Sequence, residues 1–139
     1  MARIFVDSGV LVDAAGGTGA QPEAALALLE EPEHTFLTSP FVYLETLPKA
    51  RYNRRRAEVA LYEKYFANAA WTRDLAAILE QGIDIADRDG AGPMDALHVA
   101  AAELLKADEL VTVEKPGKSI YRARAVRVRY LYHPFAVQT

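Results

Sequence analysis

Ala2-Arg3-Ile4-Phe5-Val6-Asp7 is a short apolar run that ends on a carboxylate, and Leu110-Val111-Thr112-Val113-Glu114 repeats the pattern a hundred residues later. Runs this short and this apolar suit strands buried on both faces, as in a parallel sheet. Each acid then emerges at the carboxyl end of its strand, which is where open α/β sheets place their ligands. Two further acids, Glu45 and Asp95, lie within or at the start of helical patterns. Widely spaced carboxylates at element ends point to one shared metal site.

Working outward, helical and strand-like segments alternate. Residues 8–15 can begin a helix, the glycines of residues 16–19 form a flexible connection, and Pro22 opens a helix running to residue 30. The glycine run is no phosphate-binding loop, because the lysine and hydroxyl residue that should follow are absent. Residues 35–39 read as a second strand stopped by Pro40, and Phe41, Leu44 and Leu47 follow at helical spacing, which puts Glu45 in that helix. Residues 51–81 are helix-compatible, divided near residues 68–72 and ended by Gly82. Residues 83–86 alternate like a strand, residues 87–92 form a loop, and residues 93–105 give the clearest helix, with Pro93 in its first turn and Asp95 at the positive end of its dipole. Residues 110–113 and 126–131 complete the strands. This alternation predicts a parallel α/β sheet with helices on both faces.

Composition narrows the function. The 139 residues are enough for one domain with its own core, and we expect a single domain over residues 1–139. With 51% hydrophobic and 25% charged residues the chain reads as folded and soluble. A net charge of −3 argues against polyanion binding by the surface as a whole, so any nucleic-acid contact needs a local patch. The absence of cysteine removes disulfides, thiolate zinc sites and cysteine nucleophiles, and agrees with a reducing cytoplasm. No signal peptide and no apolar window long enough to span a membrane are present, so the sequence predicts a cytoplasmic protein.

The acids suit phosphodiester chemistry. Hydrolysis of a charged diester needs cations to offset its charge, activate water and stabilise the leaving oxygen. Carboxylates are the hard oxygen donors that Mg²⁺ and Mn²⁺ prefer, and a chain with no cysteine and three histidines disfavours softer metals. The one dense basic cluster, Arg51-Tyr52-Asn53-Arg54-Arg55-Arg56 with Lys49 before it, could guide an RNA backbone toward the acids or form a solvated helix face. Arg122, Arg124, Arg127 and Arg129 suggest a charged, protected edge strand. His98 falls one turn after Asp95, within reach of a ligand carboxylate, although a packed core histidine is the plainer reading. Asp84, Asp87 and Asp89 read as solvated turn residues. Tyr62, Tyr65, Phe66 and Trp71 read as core or a homodimer contact. Ser8 and Ser39 lack the surroundings of a hydrolase nucleophile.

Taken in order, Val6-Asp7-Ser8-Gly9-Val10-Leu11-Val12, Leu44-Glu45, Met94-Asp95-Ala96-Leu97-His98-Val99-Ala100-Ala101-Ala102 and Leu110-Val111-Thr112-Val113-Glu114 resemble the PIN-domain ribonucleases, most of all the single-domain VapC-type toxins of toxin–antitoxin pairs. The resemblance implies a three-layer α/β/α fold and an acidic pocket binding Mg²⁺ or Mn²⁺ for cleavage of RNA. It assigns Asp7, Glu45, Asp95 and Glu114 as metal-binding and catalytic acids, with Ser8 as a helper. Arg54, Arg55 and Arg56 would hold the RNA, and an antitoxin protein and a second copy of the chain would be its partners. Three positions depart from the pattern. Gly9 stands where Asn or Ser is frequent, Glu114 replaces the usual Asp, and Lys115-Pro116-Gly117 stands where a further Asp and a Phe are common. A weakened PIN-like module that binds RNA or protein, and a metal-dependent nuclease acting on DNA, remain the alternatives.

Overall fold

The computed structural model describes residues 1–16 and 22–132, so most of the predicted glycine connection, residues 17–19, lies outside the described residues. The elements are β1 (Arg3–Val6), α1 (Ser8–Ala14), α2 (Pro22–Leu29), β2 (Thr35–Thr38), α3 (Pro40–Tyr52), α4 (Arg56–Asn68), β3 (Ala70–Trp71), α5 (Leu75–Asp89), α6 (Pro93–Leu104), β4 (Glu109–Thr112), a 3-10 turn (Ser119–Arg122) and β5 (Val128–Tyr130). The strands pair in parallel throughout, in the order β3-β2-β1-β4-β5, and the helices complete a three-layer α/β/α arrangement. The chain builds outward from β1 to β3 on one side, then returns to the other side of β1 for β4 and β5. The order therefore reverses between β1 and β4, and the carboxyl ends of those two strands are where open α/β sheets form their ligand crevice.

The core follows from the apolar runs. Ile4, Phe5, Val6, Leu110 and Val111 are sealed from solvent, each large aliphatic or aromatic side chain contributing about 1.5–3 kcal/mol on burial. Val99, Ala100, Ala101 and Ala102 of α6 are equally buried, and their small side chains let this helix lie against β2 and β4. Arg3 ties the end of α6 to β1, its guanidinium donating to the carbonyl of Leu105 at 2.7 and 3.2 Å, where a helix's last carbonyls need partners. Among the described residues no helix is long and apolar enough to cross a membrane.

Several sequence expectations are corrected. Residues 83–86 are not a strand: they lie inside α5, whose buried positions Ile78, Gly82, Ile85 and Asp89 recur at helical spacing. Four alternating residues cannot distinguish the two periods. Gly82 does not end the helix either. A Cβ there would sit 3.1 Å from Leu97 Cδ2, so the glycine sets the close approach of α5 to α6. The helix stops instead at Gly90, whose φ of 74° is left-handed. The division near residues 68–72 is the short strand β3, and a second break comes earlier. Arg54, at φ 55°, turns the chain between α3 and α4, so the basic run rounds a corner and does not lie along one helix face.

Two further residue groups differ in role. Asp89 is no solvated turn residue, because its buried carboxylate accepts from Arg88 and from both the backbone and the side chain of Arg124. Arg122 donates to the carbonyl of Gly90 at the end of α5, and Arg129 pairs with Glu109 at 2.8 Å, fastening the β5 edge to β4. Tyr62, Tyr65 and Phe66 are core, and Trp71 packs on Phe66 and Tyr43 while its indole donates to the Phe66 carbonyl.

Candidate metal centre

The four acids predicted from sequence come from four elements that end at the crevice. Asp7 follows β1 and caps α1, Glu45 sits in the second turn of α3, Asp95 lies in the first turn of α6, and Glu114 follows β4. Asp7 is buried and held on both oxygens: Oδ1 accepts from the Ser8 backbone N–H at 2.8 Å and Oδ2 from Thr112 Oγ1 at 2.9 Å. Glu45 reaches the same place from a half-exposed position. Its Oε1 accepts from Ser8 Oγ at 2.9 Å and lies 2.7 Å from His98 Nε2. The structure thus links Asp7, Ser8 and Glu45 directly.

Asp95 makes no side-chain hydrogen bond among the described residues, yet it belongs electrostatically to the group. Burial, followed by the charge of Asp7, raises its pKa above the ordinary carboxylate value. Glu114 and Glu45 add to this rise and His98 opposes it. Glu45 moves the other way: the hydrogen bond from His98 lowers its pKa most, burial opposes, and the charge of His98 and the hydroxyl of Ser8 lower it further. Glu114 is exposed. Its backbone N–H donates to Thr112 Oγ1 at 3.0 Å and its carbonyl accepts from the Tyr121 hydroxyl, but among the described residues nothing hydrogen-bonds its carboxylate.

Two members of the site went unassigned in the sequence. His98 is buried, and Nε2 also stands 3.8 Å from Asp7 Oδ1. Burial is the largest influence on its pKa and pulls it down, but the Glu45 hydrogen bond and the charges of Asp7, Glu45 and Asp95 together hold it above the ordinary value. The signal was its position one turn after Asp95 on the same helix face. Thr112, fully buried, links the Asp7 carboxylate to the Glu114 backbone. Its place inside the apolar run Leu110-Val111-Thr112-Val113 carried no such hint.

The donor set fits a divalent cation. Single donor atoms of Asp7, Glu45 and His98 lie within 4.8 Å of one another, and Asp95 is close enough to feel their charge. Hard oxygen donors of this kind suit Mg²⁺ or Mn²⁺, which need only one or two direct carboxylates. Beside Glu45 a cavity of about 310 Å³ runs between α1, α3 and α4, with Val12 and Ala50 in its wall and Lys49, Asn53 and Arg55 around it. A larger apolar trough of about 680 Å³ lies away from the acids, between α2 and α4, and includes Leu26, Leu29, Phe36 and Leu61.

Gly9, where the sequence departs from the PIN pattern, has a steric explanation. A Cβ at this position would lie 2.5 Å from Val113 Cγ2, so any side chain there would force Val113 to shift where α1 packs on the end of β4.

Solved structures with the same fold include a chain of VapBC2 from Rickettsia felis bound to a DNA fragment from its promoter (16% identity, covering 92% of this chain and 98% of that one, TM-score 0.68). Others are a toxin–antitoxin complex from Klebsiella pneumoniae (18%, 81% and 88%, 0.62) and Mycobacterium tuberculosis VapC20, a sarcin-ricin loop cleaving toxin (22%, 89% and 98%, 0.65). At these identities the likeness is one of fold. No curated protein matches the sequence significantly. Residues 4–116 match the PIN domain, over a span that includes all four acids, and the chain therefore belongs to the PIN domain family.

Proposed function

We propose that this chain is a single-domain, metal-dependent endoribonuclease and the toxin of a toxin–antitoxin pair. The observation that carries the reading is that Asp7 and Glu45 come together at the carboxyl end of β1, each with its own hydrogen-bond donors, with Asp95 close enough for the charge of Asp7 to raise its pKa. Asp7, Glu45 and Asp95 are the primary ligands of Mg²⁺ or Mn²⁺, and Glu114, on an exposed turn, is the weaker fourth. When bound, the cation supplies charge compensation for the diester and lowers the pKa of water at the scissile phosphate. Ser8 orients Glu45. Burial and the charge of Asp7 raise the pKa of Asp95, so its negative charge is disfavoured in the cluster, and a bound cation would offset it.

Arg54, Arg55 and Arg56 meet the RNA backbone at the α3–α4 corner, and the 310 Å³ cavity between that corner and Glu45 receives a nucleotide flanking the scissile bond. Tyr52, almost fully exposed on the same corner, offers a ring for an unpaired base. The apolar trough between α2 and α4 is the surface we assign to the antitoxin protein. With the aromatic cluster buried, a homodimer would use Leu75, Leu79 and Ile83, which lie exposed along one stripe of α5. An RNA substrate places the protein in the cytoplasm.

The test is incubation with labelled single-stranded RNA and DNA, with Mn²⁺ and with chelator, for the parent protein, Asp7→Asn and Asp95→Asn. We expect RNA cleavage that needs metal and falls in each variant by more than the roughly 10–100-fold that even outer partners of a ligand cost. Unchanged rates in both variants would remove the assignment, and preference for DNA would change the substrate class. The exposed and unanchored Glu114 favours a second reading, a PIN-like module that binds RNA without cutting it. RNA binding by the parent with no metal-dependent cleavage would support that reading instead.

A further inference from the structure

Two donors converge on one oxygen of Glu45. Ser8 Oγ lies 2.9 Å and His98 Nε2 lies 2.7 Å from Oε1, while no described donor bonds Oε2. The other ring nitrogen of His98, Nδ1, is buried and has no hydrogen-bond partner among the described residues. A neutral ring with its proton on Nδ1 would bury a donor with no acceptor and turn a lone pair toward a carboxylate, which is the arrangement protein interiors avoid. Both the neutral Nε2–H ring and the fully protonated ring place a proton on Nε2, donating to Glu45. A protonated nitrogen has no lone pair for a cation. Histidines that do coordinate metals almost always donate their other N–H to a carboxylate, carbonyl or water, and His98 has no such partner among the described residues.

Although His98 Nε2 lies with Asp7 and Glu45 in the spacing of a ligand set, we propose that His98 is a positioning residue and not a ligand. With Ser8 it pins Glu45 Oε1, leaves Oε2 for the cation, and keeps the donor set entirely oxygen. This inference rests on the reading of the crevice as a divalent-cation site. The pinning has a physical purpose. Glu45 extends from α3 as a flexible, partly exposed side chain beside the negative charge of Asp7, and ordering it costs side-chain entropy. His98 is a rigid anchor for it, sealed in the core with its ring 6.1 Å from that of Phe5. The consequence is selectivity: an all-oxygen site favours Mg²⁺ and Mn²⁺ over the metals that imidazole attracts.

The experiment uses the full chain labelled with ¹⁵N-histidine. Two-bond ¹H–¹⁵N spectra at neutral pH, without metal and with saturating Mg²⁺, read which ring nitrogen carries the proton. We expect Nε2 to be protonated in both states. Loss of the Nε2 proton on adding Mg²⁺ would make His98 a ligand, and a proton on Nδ1 alone in the metal-free protein would overturn the hydrogen bond itself. Calorimetric Mg²⁺ titration adds a second readout: His98→Leu should weaken affinity about 10–100-fold, while His98→Gln, which keeps an N–H near the same position, should recover most of it. Parent-like affinity in His98→Leu would overturn the positioning role. If the parent binds no Mg²⁺, the cation-site reading fails, and the metal-free spectrum still decides the His98–Glu45 contact.

Discussion

At the scale of single residues, one hydroxyl does two tasks in the site. Thr112 Oγ1 donates to Asp7 Oδ2 and accepts from the Glu114 backbone N–H, so it links two of the four acids across β1 and β4 without touching substrate itself. Thr112→Val keeps the shape and leaves a buried carboxylate oxygen and a backbone N–H without these partners. We expect a loss of about 1–3 kcal/mol in unfolding free energy and a drop of about 10–100-fold in metal affinity, read by thermal melting and by Mg²⁺ titration. Unchanged values in both would show that neither bond matters. Asp89 offers a different test, because it lies outside the acid cluster. The Arg88 hydrogen bond, with Arg124 adding its backbone and side-chain contacts against the opposing effect of burial, holds its pKa down to about 2 from an ordinary 3.8. A carboxylate whose folded pKa is lowered contributes stability that is complete above its unfolded pKa and fades as pH falls toward the folded one. Asp89→Asn should therefore lower the melting temperature at pH 6 and converge on the parent as pH drops from about 4 to 2. A constant offset across that range would assign the loss to packing instead of charge.

At the scale of elements, the departure at Gly9 becomes a question of how α1 is laid on β4. A side chain at this position meets Val113 Cγ2, a β-branched group with little freedom to move. Gly9→Ser restores the hydroxyl frequent in PIN domains, yet we expect it to destabilise by about 1–3 kcal/mol, the range for overpacking. Val113→Ala should rescue it. Denaturant melts of both single variants and the double variant decide this, since simple additivity would mean that the two positions do not meet. The same pair explains what was legible in the sequence. The strands carrying Asp7 and Glu114, and the helix carrying Asp95, were readable because continuous apolar runs and a proline-led helix leave little choice of structure. What escaped were features set by contact between elements. The spacing of Ile78, Gly82 and Ile85 becomes one helix face only because α6 packs against it, and β3 is a strand of two residues that exists by pairing with β2. His98 was legible as a neighbour of Asp95, but its bond to Glu45 spans 53 residues and depends on how α3 and α6 meet.

Across the whole molecule, the proposed function requires one region to attract the RNA phosphates that another repels. The chain is net negative, and its crevice concentrates carboxylates that oppose an RNA phosphate until a cation is present. Initial attraction must come from elsewhere, and most other arginines are committed: Arg3, Arg88, Arg122, Arg124 and Arg129 hold helix ends, buried Asp89 or the β5 edge. The α3–α4 corner keeps its positive charge near the surface. Arg55 shares part of its charge with Glu58 at 3.6 Å, whereas Arg54 and Arg56 are exposed and have no ion pair among the described residues. Binding by phosphate neutralisation loses affinity with salt at about 0.7 log units per contact for single strands. Changing Arg54 and Arg56 together to Ala should therefore make the slope of log affinity against log salt shallower by about 1.4, with Arg55→Ala contributing less than one full contact. The measurement belongs on the Asp95→Asn background, so that RNA is bound without being cut, at fixed Mg²⁺. Thermal melts of the same proteins should not move by more than about 0.5 kcal/mol, because these are surface positions away from the core. An unaltered slope with intact folding would dissociate the corner from RNA binding, and Lys115, Arg127 and the other exposed cations would then be the positions to test.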